Sequence, residues 1–123
     1  MSAWFLVFAG GGLGSLARYG VARLMPPAGL ENGEIPWFTL VANVLACIVL
    51  GVGVGLVGKQ VLSKELQLLL LTGFCGGFST YSTFALELVL LAEEGHWGSA
   101  ALYLGLSLTG GVLAILVAYW LVR

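Results

Sequence analysis

Charged residues divide this chain of 123 residues into four long apolar runs. The runs without a charged residue are 1–17, 35–58, 66–86 and 95–122. The first run stays apolar beyond Arg18, as far as Arg23. Because about 20 helical residues span the hydrocarbon core of a bilayer, each run is long enough to cross it. The pattern predicts a single domain over residues 1–123 with four transmembrane helices, near 3–24, 36–58, 66–92 and 97–122.

The composition agrees with a membrane setting and excludes a soluble domain. Apolar residue types make up 59% of the chain and charged ones 9%, with a mean hydropathy of +1.03. Soluble domains carry roughly 25% charged residues. The fold class expected is therefore all-α and integral to the membrane. A net charge of −1 provides no basic field, so nucleic acid is not an expected partner.

The distribution of positive charge leaves the orientation in the membrane open. With four spans, both termini share a side with the second connection, and that side carries Lys59, Lys64 and Arg123. The other side carries Arg23, together with Arg18 if this residue reaches the interface. Such a small difference is compatible with a single orientation. It is equally compatible with dual topology, in which the chain inserts both ways and pairs as an antiparallel homodimer.

The third apolar run contains an unusual segment, from Gly73 to Phe84, of sequence Gly-Phe-Cys-Gly-Gly-Phe-Ser-Thr-Tyr-Ser-Thr-Phe. Glycine weakens a helix by roughly 1 kcal/mol relative to alanine, and four hydroxyl residues follow the glycines. Close packing of helices explains the glycines alone. The combination favours a helix broken at mid-membrane, which is tolerated where the backbone is buried in protein or lines a polar cavity.

Polar residues in the other spans have two interpretations. Asn43 lies inside the second run with Thr39 one turn before it, and Tyr103 and Ser107 share a stripe in the fourth. Each is either a hydrogen-bond partner between helices or part of a polar track. Arg18 is either an intramembrane functional residue or a side chain that reaches the interface.

The spans offer many hydrogen-bond donors and few acids, which disfavours a cation conduit lined by carboxylates. Such an interior suits a small anion or a small polar solute, and aromatic ring edges add electropositive contacts. Glu87 ends the uncharged part of the third run, at a pore mouth or at the interface. Cys47 and Cys75 are expected to be buried free thiols. The N-terminal run lacks a basic start, so no removable signal peptide is expected.

These motifs resemble the Fluc/CrcB fluoride channels. The resemblance rests on Gly-x-x-Gly-x-x-x-Arg-Tyr between Gly11 and Tyr19, on Asn43, and on the segment from Gly73 to Phe84. It extends over the whole chain in length and in four-helix layout. It implies a multi-pass protein of the cell inner (plasma) membrane that exports cytoplasmic fluoride passively. It also implies an antiparallel, dual-topology homodimer with two pores, each lined by both subunits.

The resemblance also implies roles for individual residues. A sodium ion at the centre of the dimer would be held by backbone carbonyls of Gly76 and Ser79. The positions that match the fluoride pore are Asn43, Tyr81, Ser82, Thr83, Phe84, Tyr103 and Ser107. Those that match the vestibule or support the pore are Arg18, Thr39 and Glu87. Tyr81 departs from the family's phenylalanine, so the hydroxyl adds polarity and bulk where the ring edge remains.

Three other functions compete with a channel. A small dual-topology multidrug-type exporter needs a membrane carboxylate, and spans one, two and four contain none. A non-transporting assembly subunit would use the glycines for packing alone. An enzyme is not expected, because no nucleophile–base pair is apparent and His96, the single histidine, lies at a predicted span boundary.

Overall fold

The computed structural model describes residues 2–123, and the backbone in that range is helical nearly throughout, with no β-strand. One short 3-10 turn, Leu30–Asn32, lies in the connection after the first helix. Helix α3 covers residues 64–78 as three consecutive segments, Lys64–Leu66, Gln67–Cys75 and Gly76–Phe78, of which the middle one has wider π-helical turns. The other helices are α1 Ala3–Leu24, α2 Trp37–Gly58, α4 Tyr81–Glu93 and α5 Trp97–Val122.

Within residues 2–123, four stretches of helix are long and apolar enough to cross a membrane. They are α1, α2, α5 and the succession of α3 and α4 over Lys64–Glu93. The expectation of an all-helical chain with four such stretches is confirmed. Two of the helices start at a serine whose hydroxyl accepts a backbone N–H: Ser2 caps α1 and Ser63 caps α3. These caps satisfy amides that have no partner within the first turn.

Helix α1 packs directly on the backbone of α3 through glycine. A Cβ atom on Gly10 would overlap the carbonyl oxygen of Leu69, and one on Gly14 would overlap that of Phe74. Two helices approach this closely only where no side chain separates them. The glycines of the first apolar run therefore determine the position of α1 against α3.

Helix α2 lies between α5 and α3. On one face, Gly51 lies against the carbonyl of Ile115 and Gly55 against the side chain of Val122, so α2 and α5 run in the same direction. On another face, Gly53 lies against the side chain of Leu71 in α3. This central position brings the polar residues of α2 next to the junction between α3 and α4.

The buried residues form two clusters. One joins α2, α4 and α5 and contains Leu40, Phe84, Leu91, Ala100 and Tyr103. The other joins α2 to the end of α3 and contains Ala42, Ala46 and Phe78. Both clusters adjoin the α3–α4 junction, which is therefore supported on two sides.

The connection between α1 and α2 is attached to the start of α5. His96 Nε2 donates to the carbonyl of Glu31 at 2.9 Å, and Ser99 Oγ donates to the carbonyl of Gly33 at 2.7 Å. His96 directly precedes α5, so these contacts hold the connection at that end of the bundle. Its contact with a backbone carbonyl gives the single histidine a structural role.

Candidate functional site

The junction between α3 and α4 interrupts the helical backbone. Helix α3 ends at Phe78, and Ser79 and Thr80 have extended conformations, with φ/ψ of −79°/157° and −147°/117°. Helix α4 then begins at Tyr81. The depth of this junction in a bilayer stays a prediction.

Side chains replace helical hydrogen bonds at the junction. In a continuous helix the amides of Thr80 and Thr83 would donate to the carbonyls of Gly76 and Ser79, four residues earlier. Instead, Thr80 N–H donates to Asn43 Oδ1 at 2.7 Å, and Thr83 N–H donates to Thr80 Oγ1 at 3.2 Å. The carbonyls of Gly76 and Ser79 therefore do not receive these two amide hydrogens.

Asn43 of α2 binds the Thr80 backbone at two points. Besides accepting the Thr80 N–H, its amide donates from Nδ2 to the Thr80 carbonyl at 3.1 Å. This pairing fixes which end of the amide is oxygen and which is nitrogen. An asparagine amide has two N–H groups, so one remains for another acceptor.

A groove of about 250 Å³ opens beside this pair. It is lined by Asn43, Cys47, Ser79, Thr80, Tyr81, Phe84, Ser107, Leu108 and Gly111. The hydroxyl oxygen of Ser107 is buried and has no hydrogen-bond partner among the described residues. A buried hydroxyl without a partner costs free energy unless a ligand or water satisfies it. The groove thus offers donors at Asn43 and Ser107, and none of its lining residues is acidic.

Two aromatic rings adjoin the groove. Phe84 is 8% exposed and meets Tyr103 edge to face, with centroids 5.1 Å apart and planes at 70°. Tyr81 is 80% exposed, and its ring lies 6.3 Å from that of Phe84 with an interplanar angle of 56°. Tilted and edge-to-face rings present electropositive edges to their surroundings. The structure therefore places an aromatic pair of the expected kind at the groove.

Behind Phe84, a hydrogen-bonded triad surrounds Glu87. Thr39 Oγ1 donates to Glu87 Oε2 at 3.0 Å, and Tyr103 O–H donates to Oε1 at 2.9 Å. Thr39 and Tyr103 are fully buried. Glu87 also lines a larger cavity of about 630 Å³ near Pro36, at the α1–α2 connection. Tyr103 thus contacts Phe84 at the groove and Glu87 at this second cavity.

The remaining predicted residues lie elsewhere. Ser82 is exposed and Thr83 half-buried, and neither lines the groove. Arg18 Nε donates to the carbonyl of Gly77 at 3.1 Å, on the side of the junction that faces α1. Gly76 is exposed, and a Cβ placed on it would meet nothing within 4 Å. The other predicted residues therefore belong to the groove, to the triad around Glu87 or, for Arg18, to the α1 side, whereas Ser82, Thr83 and Gly76 belong to none of these groups.

Sequence reasoning did not assign Thr80 and Cys47. Thr80 accepts from the amide three residues later, which is the N-cap pattern of threonine at the start of a helix. That spacing was present in the sequence as a signal. Cys47 lies four residues after Asn43 and so shares its face of α2. Both cysteines, Cys47 and Cys75, are free thiols, but only Cys75 is buried as expected, whereas Cys47 is half-buried and lines the groove. No pattern in the sequence pointed to Leu108.

The sequence of this chain matches a known protein family. Residues 5–119 match the family described as CrcB-like protein, Camphor Resistance (CrcB). The chain belongs to the CrcB family. The matched range includes every residue that lines the groove, so the groove is part of the CrcB domain.

Relatives of this CrcB chain share one protein name. It is 41% identical over 123 residues to a protein of Dichelobacter nodosus, a match that covers 100% of this chain and 98% of the relative. It is 42% identical over 118 residues to a protein of Mycobacterium bovis, covering 95% and 87% respectively. The first is named "Fluoride-specific ion channel FluC" and the second "Fluoride-specific ion channel FluC 1". The resemblance inferred from the motifs is confirmed at the level of the family.

Proposed function

We propose that this CrcB-family chain is a fluoride-selective channel, and not an enzyme, of the cell inner membrane. It lets cytoplasmic fluoride leave by passive electrodiffusion. The observation that carries the proposal is the groove, which is lined by Asn43 with one unused N–H, by Ser107 with a buried, unpartnered hydroxyl, and by the aromatic residues Tyr81 and Phe84. The name of the relatives specifies the ion.

The chemistry of the groove suits a small, strongly hydrated anion. Fluoride gives up its water only where other donors replace it, and conduction requires several weak sites rather than one tight site. Asn43 and Ser107 donate hydrogen bonds, and the ring edges of Phe84 and Tyr81 add weaker contacts. Ser82 and Thr83 lie outside the groove of one protomer. We propose that they contribute donors further along the path.

The larger cavity completes the proposed path at one end. Tyr103 connects the groove to Glu87, which faces the cavity beside Pro36. Thr39 and Tyr103 both donate to the carboxylate, so they hold it in place at the edge of the path. Glu87 does not line the groove. A multidrug-type exporter would bind an organic cation at a membrane carboxylate, and this geometry does not favour it because both oxygens of Glu87 already accept hydrogen bonds from Thr39 and Tyr103.

We propose that the channel is an antiparallel homodimer of chains inserted in both orientations. The groove is open along one side in the protomer, and Tyr81 is 80% exposed there. Gly76 at the end of α3 is also exposed. A second copy packed on this face would enclose the groove and bring the two α3–α4 junctions together.

A sodium ion fits the donor set at this face. The amides that would engage the carbonyls of Gly76 and Ser79 in a continuous helix bind Asn43 and Thr80 side chains instead. Carbonyls released at a helix break are known ligands for sodium in membrane proteins. Two copies would supply four such oxygens. When bound, the ion would supply a fixed positive charge that links the protomers and favours a nearby anion.

Flux from liposomes tests the proposed function. The full chain is reconstituted into vesicles loaded with potassium fluoride, and external fluoride is followed with a selective electrode after a potassium ionophore is added. We expect rapid fluoride efflux that depends on the ionophore, because the movement carries charge. Vesicles loaded with chloride should not leak. Fluoride efflux equal to that of protein-free vesicles would contradict the proposal, and proton-coupled uptake of an organic cation would support the exporter.

A further inference from the structure

Arg18 reaches the α3–α4 junction from α1. Its Nε donates to the carbonyl of Gly77 at 3.1 Å, and the contact is partly buried. Gly10, Gly14 and Arg18 are four residues apart, so they lie on one face of α1. The two glycines bring α1 onto the backbone of α3. Arg18 is the next residue on that face, where α3 ends.

The Gly77 carbonyl can accept this hydrogen bond because the helix is interrupted after α3. In a continuous helix the Gly77 carbonyl would receive the amide of Tyr81. Thr80 has extended backbone angles, so Tyr81 begins a new helix instead. The last carbonyls of a helix also form its negative end, which a positive charge stabilises. This contact accounts for an arginine inside the first span.

Gly76 and Gly77, neighbours at the end of α3, have different surroundings. A Cβ on Gly77 would overlap the carbonyl of Gly11 in α1, whereas a Cβ on Gly76 would meet nothing within 4 Å. Arg18 therefore engages the carbonyl of the residue that faces α1. The residue before it, Gly76, lies on the open face.

We propose that Arg18 is a positioning residue for the sodium site, an inference that rests on the proposed function. By binding the Gly77 carbonyl, Arg18 holds the end of α3 so that the adjacent Gly76 carbonyl keeps the position that sodium requires. Asn43 holds the other side of the junction through Thr80. The interruption is thus fixed by one side chain from α1 and one from α2.

The stabilising effect of sodium on the purified protein tests this inference without reference to flux. The melting temperature in detergent is measured over a range of sodium chloride concentrations, with N-methylglucamine chloride holding ionic strength constant. The variants are Arg18→Met and Arg18→Gln, both of which remove the charge. The matched control is Arg23→Met, which removes an exposed arginine from the same helix.

We expect sodium to raise the melting temperature of the unmodified protein and of Arg23→Met at similar concentrations. The Arg18 variants should need about tenfold more sodium for half of the effect, equivalent to about 1.4 kcal/mol of binding free energy. If Arg18 only supports packing, the variants will melt earlier in both salts with an unchanged sodium dependence, and the inference is wrong. If Arg18→Met does not fold, the same comparison is decided by Arg18→Gln. If sodium does not change the melting temperature of the unmodified protein, the proposed sodium site is wrong, and this inference is wrong with it.

Discussion

Asn43 and Thr80 exchange two hydrogen bonds, one in each direction, across the boundary between α2 and the α3–α4 junction. The side chain of Asn43 acts here as a second peptide group would, because it offers an acceptor and a donor side by side. Asn43 also lines the groove and has one N–H without an acceptor. The same amide therefore holds the interrupted backbone and is available to an anion, so the shape of the junction and the chemistry of the groove depend on one residue.

Asn43→Asp should abolish fluoride efflux from liposomes, lowering it by at least about 100-fold. The carboxylate still accepts the Thr80 N–H, but it has no N–H for the Thr80 carbonyl and repels an approaching anion. Asn32→Asp is the matched control, because it makes the same change at an exposed residue of the connection. Efflux from the control should be within about twofold of the unmodified protein. Normal efflux from Asn43→Asp would remove this residue from the anion path.

Phe84→Ile should lower fluoride efflux by about tenfold or more while the protein remains a dimer. The change removes the ring that meets Tyr103 edge to face, a contact worth about 0.5–1.5 kcal/mol beyond burial. Efflux is measured beside size-exclusion chromatography to separate conduction from assembly. Phe8→Ile, at an exposed phenylalanine of α1, serves as the control. Full flux through the Phe84→Ile variant would show that the aromatic edge has no role in conduction.

Tyr81 permits the ring and the hydroxyl to be tested apart. Tyr81→Phe keeps the ring beside Phe84 and should conduct fluoride within about threefold of the unmodified protein. Tyr81→Ile removes the ring and should reduce efflux at least about tenfold. Selectivity is measured as the ratio of fluoride to chloride efflux in the same vesicles. Equal loss of flux in both variants would mean that the hydroxyl, and not the ring edge, is the group that the path needs.

The helices were predictable from the sequence because each apolar run has the length of a bilayer and ends at charged or turn-forming residues. The segment from Gly73 to Phe84 also indicated an interruption, since glycines and hydroxyl residues weaken a helix together. The exact residues with extended backbone, Ser79 and Thr80, depend on the threonine cap of α4. Such a cap competes with a continuous helix, and the sequence alone does not show which of them is more stable.

The contacts that group the site residues could be identified only from the three-dimensional structure. Periodicity placed Thr39 near Asn43 and Tyr103 near Ser107, but it contained no information on contacts between spans. The structure joins Thr39 and Tyr103 through Glu87 and leaves Ser107 at the groove. Arg18 illustrates the same limit. Its position within the first run was evident, whereas its acceptor at Gly77 depends on how α1 packs against α3.

The triad around Glu87 should behave as a coupled unit. Glu87→Gln leaves only one oxygen for two donors, so either Thr39 or Tyr103 loses its acceptor. Each single variant, Glu87→Gln and Tyr103→Phe, should lower the free energy of unfolding in detergent by about 1–2 kcal/mol. In the double variant, the glutamine oxygen can serve Thr39 alone, and the loss should be smaller than the sum of the two. Strict additivity in chemical denaturation would mean that the two residues do not interact energetically.

Glycine at residue 10 should be essential for packing, while glycine at residue 12 should not. A Cβ on Gly10 overlaps the backbone carbonyl of Leu69, which cannot move aside as a flexible side chain would. Gly10→Ala should therefore destabilise the protein by about 1–3 kcal/mol. It should also move Arg18 away from Gly77.

Gly12 is exposed and a Cβ there meets nothing within 4 Å, so Gly12→Ala should raise stability by up to about 1 kcal/mol through helix propensity. Each variant adds one methyl group to the same helix, so thermal melts in detergent compare the two directly. Equal melting temperatures for the two would contradict the close approach of α1 to α3, and with it the route by which Arg18 reaches the junction.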